Sequence, residues 1–146
     1  MTERFKIIPI VSVVLKKEDS IFLLRTLSDS IFPNVYTLIG GHAEGDETLR
    51  QAVVREAFEE VGVTIDPQDL EFIHVSHRKR PTDGQEIAWF VFITECWKGD
   101  PYNKEPHKHA ELGLFSLSKL PEAVRPSFLV PLFKNLYNYT YSESGW

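Results

Sequence analysis

Cysteine is almost absent from this chain: Cys96 stands alone among 146 residues. One thiol cannot close an internal disulfide, which excludes a disulfide-stapled scaffold and points to a reducing cytoplasm. Cys96 lies in an apolar run, so buried packing is its expected role, and nothing nearby supplies the base a nucleophile would need. Long apolar runs are missing too. None approaches the roughly 20 residues needed to cross a bilayer, and Glu3, Arg4 and Lys6 interrupt the pattern of a signal peptide. No membrane partner is expected. Positive charge is in deficit, 16 Lys and Arg against 21 Asp and Glu, leaving a net charge of −5. That balance argues against a broad footprint on a nucleic-acid polymer. The short basic run His77-Arg78-Lys79-Arg80 has no interleaved aromatics and reads as a solvated loop. Repeats, low-complexity tracts and interdomain linkers are lacking as well. The expectation is a single domain over residues 1–146, as a monomer or homodimer.

What is present suits a small α+β enzyme. Hydrophobic residues make up 42% of the chain and aromatics 12%, enough for a sizeable core. Residues 5–15 are β-branched and apolar, which predicts a strand, with Pro9 implying an edge or bend. Residues 20–25 read as its hairpin partner. A short strand at 36–39 runs into a turn at Gly40-Gly41. A helix is expected over 47–61, with Asp46 as N-cap and Gly62 as stop. Strands follow at 71–78, 87–97 and 112–117. Residues 98–109, with Gly99, Pro101 and Pro106, predict a polar loop able to close over a substrate. A closing helix is expected over 126–139, with Leu129, Leu132, Phe133 and Leu136 facing inward.

The segment GHAEGDETLRQAVVREAFEEVGV, residues 41–63, is the most informative. On a helix advancing about 100° per residue, Glu56, Glu59 and Glu60 share one arc. Val54, Ala57, Phe58 and Val61 then form the opposite, apolar face. Three carboxylates so close repel one another unless a cation sits among them, and a hard divalent ion with a taste for oxygen, above all Mg²⁺, answers that need. Glycines at 40 and 41 allow a sharp turn and a close approach of backbone to phosphate or metal.

Gly41, Glu47 and the run Arg55-Glu56-Ala57-Phe58-Glu59-Glu60-Val61-Gly62-Val63 resemble the Nudix box at every fixed position. Ala57 and Ile39 are its weakest matches. The resemblance implies a Nudix-type α/β/α sandwich on a mixed sheet. It implies a hydrolase that cleaves a diphosphate bond in a nucleoside diphosphate derivative, with Mg²⁺, or Mn²⁺ in its place. By the same resemblance Glu56, Glu59 and Glu60 are metal ligands, joined by the carbonyl of Gly40, while Arg55 orients a carboxylate. The segment from Lys104 to Phe115 is similar to the loop and strand of mutator-type nucleotide pyrophosphohydrolases. That similarity makes Glu105 a further metal ligand, with Glu111 the runner-up, and favours a (deoxy)nucleoside triphosphate cleaved to monophosphate and pyrophosphate. Arg55, Glu59 and Glu105 form the candidate catalytic set.

Outside the box the signals are thinner. Arg25 is a candidate phosphate contact or a surface ion pair. Gly41 and Trp89 are candidate substrate contacts, although an aromatic in a central strand is usually core. His107 and His109 lack a third ligand at useful spacing and read as solvated. Marks of other subgroups are absent, yet an ADP-ribose or nucleotide-sugar pyrophosphatase stands as the alternative. A non-turning nucleotide sensor and a structural metal protein are the remaining readings.

Overall fold

A computed structural model describes residues 2–146. Its elements, in order, are β1 (Ile8–Lys17), β2 (Ser20–Thr26), β3 (Tyr36–Thr37), β4 (Ile39–His42), α1 (Leu49–Val61), β5 (Glu71–Lys79), β6 (Glu86–Thr94), β7 (His109–Ser116), α2 (Leu129–Lys134) and β8 (Tyr141–Ser144). A single 3₁₀ turn, Pro67–Asp69, connects α1 to β5.

The eight strands form one mixed sheet with β1 as its spine. Its first half lies between β6, running parallel, and β4, running antiparallel; its end pairs with β2. β2 goes on to β3 and β7, while β6 pairs with β5, and β5 in turn with β8. Pro9 is therefore near the start of a central strand and not on an edge. Its carbonyl accepts from Ala43 N on the β4 side, the side where its own nitrogen has no hydrogen to give.

Alternation along β1 builds two cores. Val11, Val13 and Leu15 pack against Ala52, Val53, Ala57 and Val61 of α1. Val14 faces the other way, with Val91 and Ile93, against Leu129, Leu132 and Phe133 of α2. A helix thus covers each face, and the fold is α+β.

Several local expectations change. The N-cap of α1 is Thr48, not Asp46: Thr48 Oγ1 accepts from Gln51 N, and the Gln51 side chain returns to Thr48 N. This capping box was present in the sequence as Thr-Leu-Arg-Gln. Gly62 does end the helix, at φ 73°. The closing helix shrinks to Leu129–Lys134, since Pro131 is tolerated only within a first turn. The four residues expected to face inward are all buried. Cys96 is exposed. The chain leaves the sheet after Thr94, whose hydroxyl bonds both the amide and the carbonyl of Cys96, and this turns the thiol to solvent.

Candidate active site

Gly40 and Gly41 make no turn; both are extended residues of β4, paired with Ser12 and Val11. They are needed for closeness. A Cβ on Gly40 would collide with the Val11 carbonyl, and one on Gly41 would lie 2.6 Å from Glu56 Oε1. The glycine pair lets α1 lay a carboxylate directly on the strand.

Arg55 then locks the connection between β4 and α1. Its Nε and Nη2 donate to Glu47 at 3.1 and 2.9 Å, and Nη2 also reaches the His42 carbonyl at 3.1 Å. Nη1 donates to Glu56 at 3.0 Å and, more loosely, to Glu59 at 3.4 Å. Glu47 precedes the helix instead of lying in its first turn, and also accepts from Glu44 N. The bonds from Arg55 hold the Glu47 carboxyl below its ordinary range, and the same partners strengthen the hold of Arg55 on its proton. Arg55 is a clamp on several carboxylates, where the resemblance implied that it orients one.

The helix docks with a different face from the one expected. Ala52, Val53, Ala57, Glu60 and Val61 are buried, whereas Phe58 is 51% exposed and carries the Lys104 ammonium 3.7 Å from its ring centre. Glu60 is on the buried arc, 4% exposed, with Oε1 accepting from Gly40 N at 3.1 Å. Burial pushes its carboxyl well above the usual range; the neighbouring carboxyls of Glu56 and Glu105 push the same way, against the Gly40 amide. A buried carboxyl ringed by carboxyls favours either a proton or a cation. Glu59 is further out, its side chain 49% exposed.

The polar loop is pinned, not free. Thr64 and Lys98 pair backbone to backbone, Tyr102 N donates to the Val61 carbonyl and Lys104 N to the Glu60 carbonyl. Two of the orphan carbonyls at the end of α1 are thereby satisfied. One residue beyond that anchor, Glu105 turns into the site. Glu56, Glu60, Glu105 and His109 line a cleft of about 310 Å³ above Gly40 and Gly41.

His109 is the residue that sequence reasoning missed. It lies 3.6 Å from Glu60 Oε2 with its side chain 16% exposed, while His107 stays exposed. Only the return of β7 beside β2 brings it there, so spacing along the chain held no signal. Other candidates lie elsewhere. Arg25 pairs with Glu111 at 3.4 Å and with Asn34 at 3.1 Å, and Glu111 accepts from Tyr36 Oη. Trp89 faces the α2 side of the sheet, donating to Ser12 Oγ at 2.7 Å and meeting Phe128 edge to face.

The donor set suits a hard cation. All the acidic ligands are oxygens, and the burial of Glu60 creates a need for positive charge. Among the described residues, no three of these groups surround one common point. Mg²⁺ does not require that, because it keeps several waters and is held through one or two carboxylates together with substrate phosphates.

Comparison with known proteins agrees. The NUDIX domain model matches residues 6–136. The chain is 33% identical to the 8-oxo-dGTP diphosphatase of Escherichia coli (strain K12) over 108 residues, which is 74% of this chain and 81% of that protein. It is 31% identical to the ADP-ribose pyrophosphatase of Methanocaldococcus jannaschii over 109 residues, 75% of this chain and 62% of that protein. The fold superposes on a MutT NUDIX hydrolase from Burkholderia pseudomallei with a TM-score of 0.78 at 22% identity, covering 88% of this chain and 97% of the other. With the box residues gathered over a glycine strand and the family model spanning nearly the whole chain, the chain belongs to the Nudix family as a MutT-like hydrolase of phosphorus-containing anhydrides.

Proposed function

We propose that the protein hydrolyses a (deoxy)nucleoside triphosphate to the monophosphate and pyrophosphate in a divalent-metal-dependent reaction. The observation that carries this reading is the convergence of Glu56, Glu60 and Glu105 over Gly40-Gly41 in one cleft. Similarity to a bacterial 8-oxo-dGTP diphosphatase supports the triphosphate class.

Glu56, Glu60 and Glu105 are the groups that would hold Mg²⁺ or Mn²⁺, with Glu59 and the Gly40 carbonyl beside them. When bound there, the ion would supply charge neutralisation on the diphosphate oxygens and would make a water more acidic. Water adds to one phosphorus, the bridging P–O bond breaks, and the proton passes to a carboxylate for which Glu105 and Glu59 are the candidates. Arg55 keeps Glu56 in place through Nη1 and holds the preceding loop through Glu47 and the His42 carbonyl. Gly41 offers a surface on which no side chain obstructs a phosphate. Arg25 and Trp89 stay substrate contacts in this proposal only if the nucleoside reaches past the cleft.

The test is a turnover screen over canonical and oxidised nucleoside triphosphates, ADP-ribose, nucleotide sugars and dinucleoside polyphosphates. Activity should require Mg²⁺ or Mn²⁺ and vanish in EDTA, and full turnover in chelator would overturn the metal requirement. A second reading, ADP-ribose hydrolysis to AMP and ribose 5-phosphate, draws on the similarity to an archaeal ADP-ribose pyrophosphatase. A higher kcat/KM for ADP-ribose than for every triphosphate would establish it instead.

A further inference from the structure

On the α2 side of the sheet, a ladder of polar side chains runs along β5 and β8. It begins satisfied. His74 Nδ1 donates to the Tyr139 carbonyl, and the Ser142 hydroxyl lies 2.8 Å from His74 Nε2 and 2.9 Å from Ser76 Oγ. One rung further on, Arg78 pairs with Ser144 in the parallel register. There the ladder runs out of partners: Arg78 Nη1 and Ser144 Oγ are both buried, and among the described residues neither has a hydrogen-bond partner.

A second guanidinium, Arg125, is carried three residues before Phe128, the ring on which Arg78 rests. Burial disfavours the charge on Arg78, and the like charge of Arg125 adds to that effect. Each cation is stacked on a ring: Arg78 Cζ is 5.7 Å from the centre of Phe128, and Arg125 Cζ is 4.4 Å from that of Phe32. Among the described residues, neither forms an ion pair with a carboxylate. Arg25 and Arg80 are paired, with Glu111 and Asp83, whereas Arg50 rests on Phe92 without a carboxylate but still gives a hydrogen bond to the Leu70 carbonyl; Arg78 Nη1 has neither kind of partner. A water would satisfy hydrogen-bonding capacity at this rung but would leave the half-buried charge of Arg78 without a counter-charge. An anion with several acceptor oxygens does both.

We propose that Arg78, Arg125 and Ser144 form a subsite for a phosphate-class oxyanion, on the sheet face opposite α1 and apart from the carboxylate cluster. Guanidinium N–H groups and the Ser144 hydroxyl supply donors, and Phe128 and Phe32 hold the two arginines in place. The anion is either free in solution or a phosphate carried by the substrate far from the bond that is cleaved.

The experiment titrates inorganic phosphate, against chloride at equal ionic strength, into the full chain in EDTA. Side-chain Nε–Hε signals of Arg78 and Arg125 and the Ser144 amide are followed by NMR. Saturable shifts of all three are expected, and Arg125→Gln, an exposed position that leaves the core untouched, should weaken the phosphate affinity by about tenfold or more. If the three signals respond to phosphate no more than to chloride, or if Arg125→Gln leaves the affinity unchanged, the subsite does not exist and water alone fills the rung. A kinetic arm separates the two sources. A substrate-borne phosphate requires Arg125→Gln to raise KM only for nucleotides bearing an additional 2′- or 3′-phosphate; a free anion requires KM to be unaltered for all. The NMR arm involves no turnover, so its failure leaves the hydrolase reading standing, and loss of that reading leaves this site intact.

Discussion

Gly41 and Glu56 share one space: a Cβ on the glycine would stand 2.6 Å from the carboxylate oxygen that Arg55 also holds. Gly41→Ala must therefore push Glu56 aside. Activity is expected to fall on the order of tenfold to a hundredfold, as for groups that orient metal ligands. Gly45→Ala is the control, because nothing lies within 4 Å of a Cβ there. Parallel kcat measurements check the contrast, and equal rates in the two variants would refute it.

Glu60→Gln separates catalysis from folding. The substitution keeps the shape while removing a buried acidic group whose charged form is disfavoured. Turnover should drop about a hundredfold or more, while the Tm of the metal-free protein holds or rises. A variant that fails to fold would show that the charge of Glu60 is structural.

Phe58 tests the helix phase. Apolar spacing alone suggests a buried ring and a costly Phe58→Ala, yet the ring is half exposed under Lys104. Phe58→Ala should cost under about 1 kcal/mol. Leu132→Ala, at a fully buried position, should cost about 2–5 kcal/mol. Urea denaturation of both variants decides.

Glu105 and Glu111 part company in space. Glu105→Gln should lower kcat on the order of 10²–10⁴-fold with little change in Tm. Glu111→Gln loosens only Tyr36 and Arg25, so its rate should remain near wild type. Reversal of that order in steady-state assays would place the base on β7.

Two buried groups give opposite pH slopes to the metal-free protein. Burial keeps His74 neutral below its ordinary value of 6.5, so its contribution to stability is full above that pH and is lost as pH falls through it. Glu60 is raised, so its contribution is full at low pH and is lost as pH rises through its elevated folded value. In EDTA, Glu60→Gln should show Tm rising from about pH 5 to a plateau near pH 7, with wild type climbing less. Mg²⁺ should stabilise wild type more at about pH 8 than at pH 5. An Mg²⁺ effect independent of pH would remove Glu60 from the metal site.

The box was legible because its meaning is local: carboxylates three and four residues apart share a helix surface wherever the helix goes. Which arc of that helix docks was not local. Val54, Ala57, Phe58 and Val61 satisfy the apolar period as well as Ala52, Val53, Ala57 and Val61 do. The choice is made by the bare backbone of Gly40 and Gly41, which draws Glu60 inward. Glu105 was found by similarity of its loop, whereas His109 depends on β7 returning beside β2, a pairing that no spacing announces. β8 was missed because Tyr-Ser-Glu-Ser has no apolar alternation; it joins the sheet by backbone pairing to β5.

Lys104 N bonds to the carbonyl of Glu60, and Glu105 is the next residue along. The loop thereby works as a measured tether, with its length from Lys98 to Glu105 set against the end of α1. Surface loops ordinarily absorb inserted residues without harm. Here one extra residue between Lys98 and Lys104 would shift the carboxylate by up to about 3.3 Å, more than a coordination bond spans. Length variation in descendants of this sequence should therefore gather in the turn at 80–85 and in the loop at 27–35, and pass over this tether.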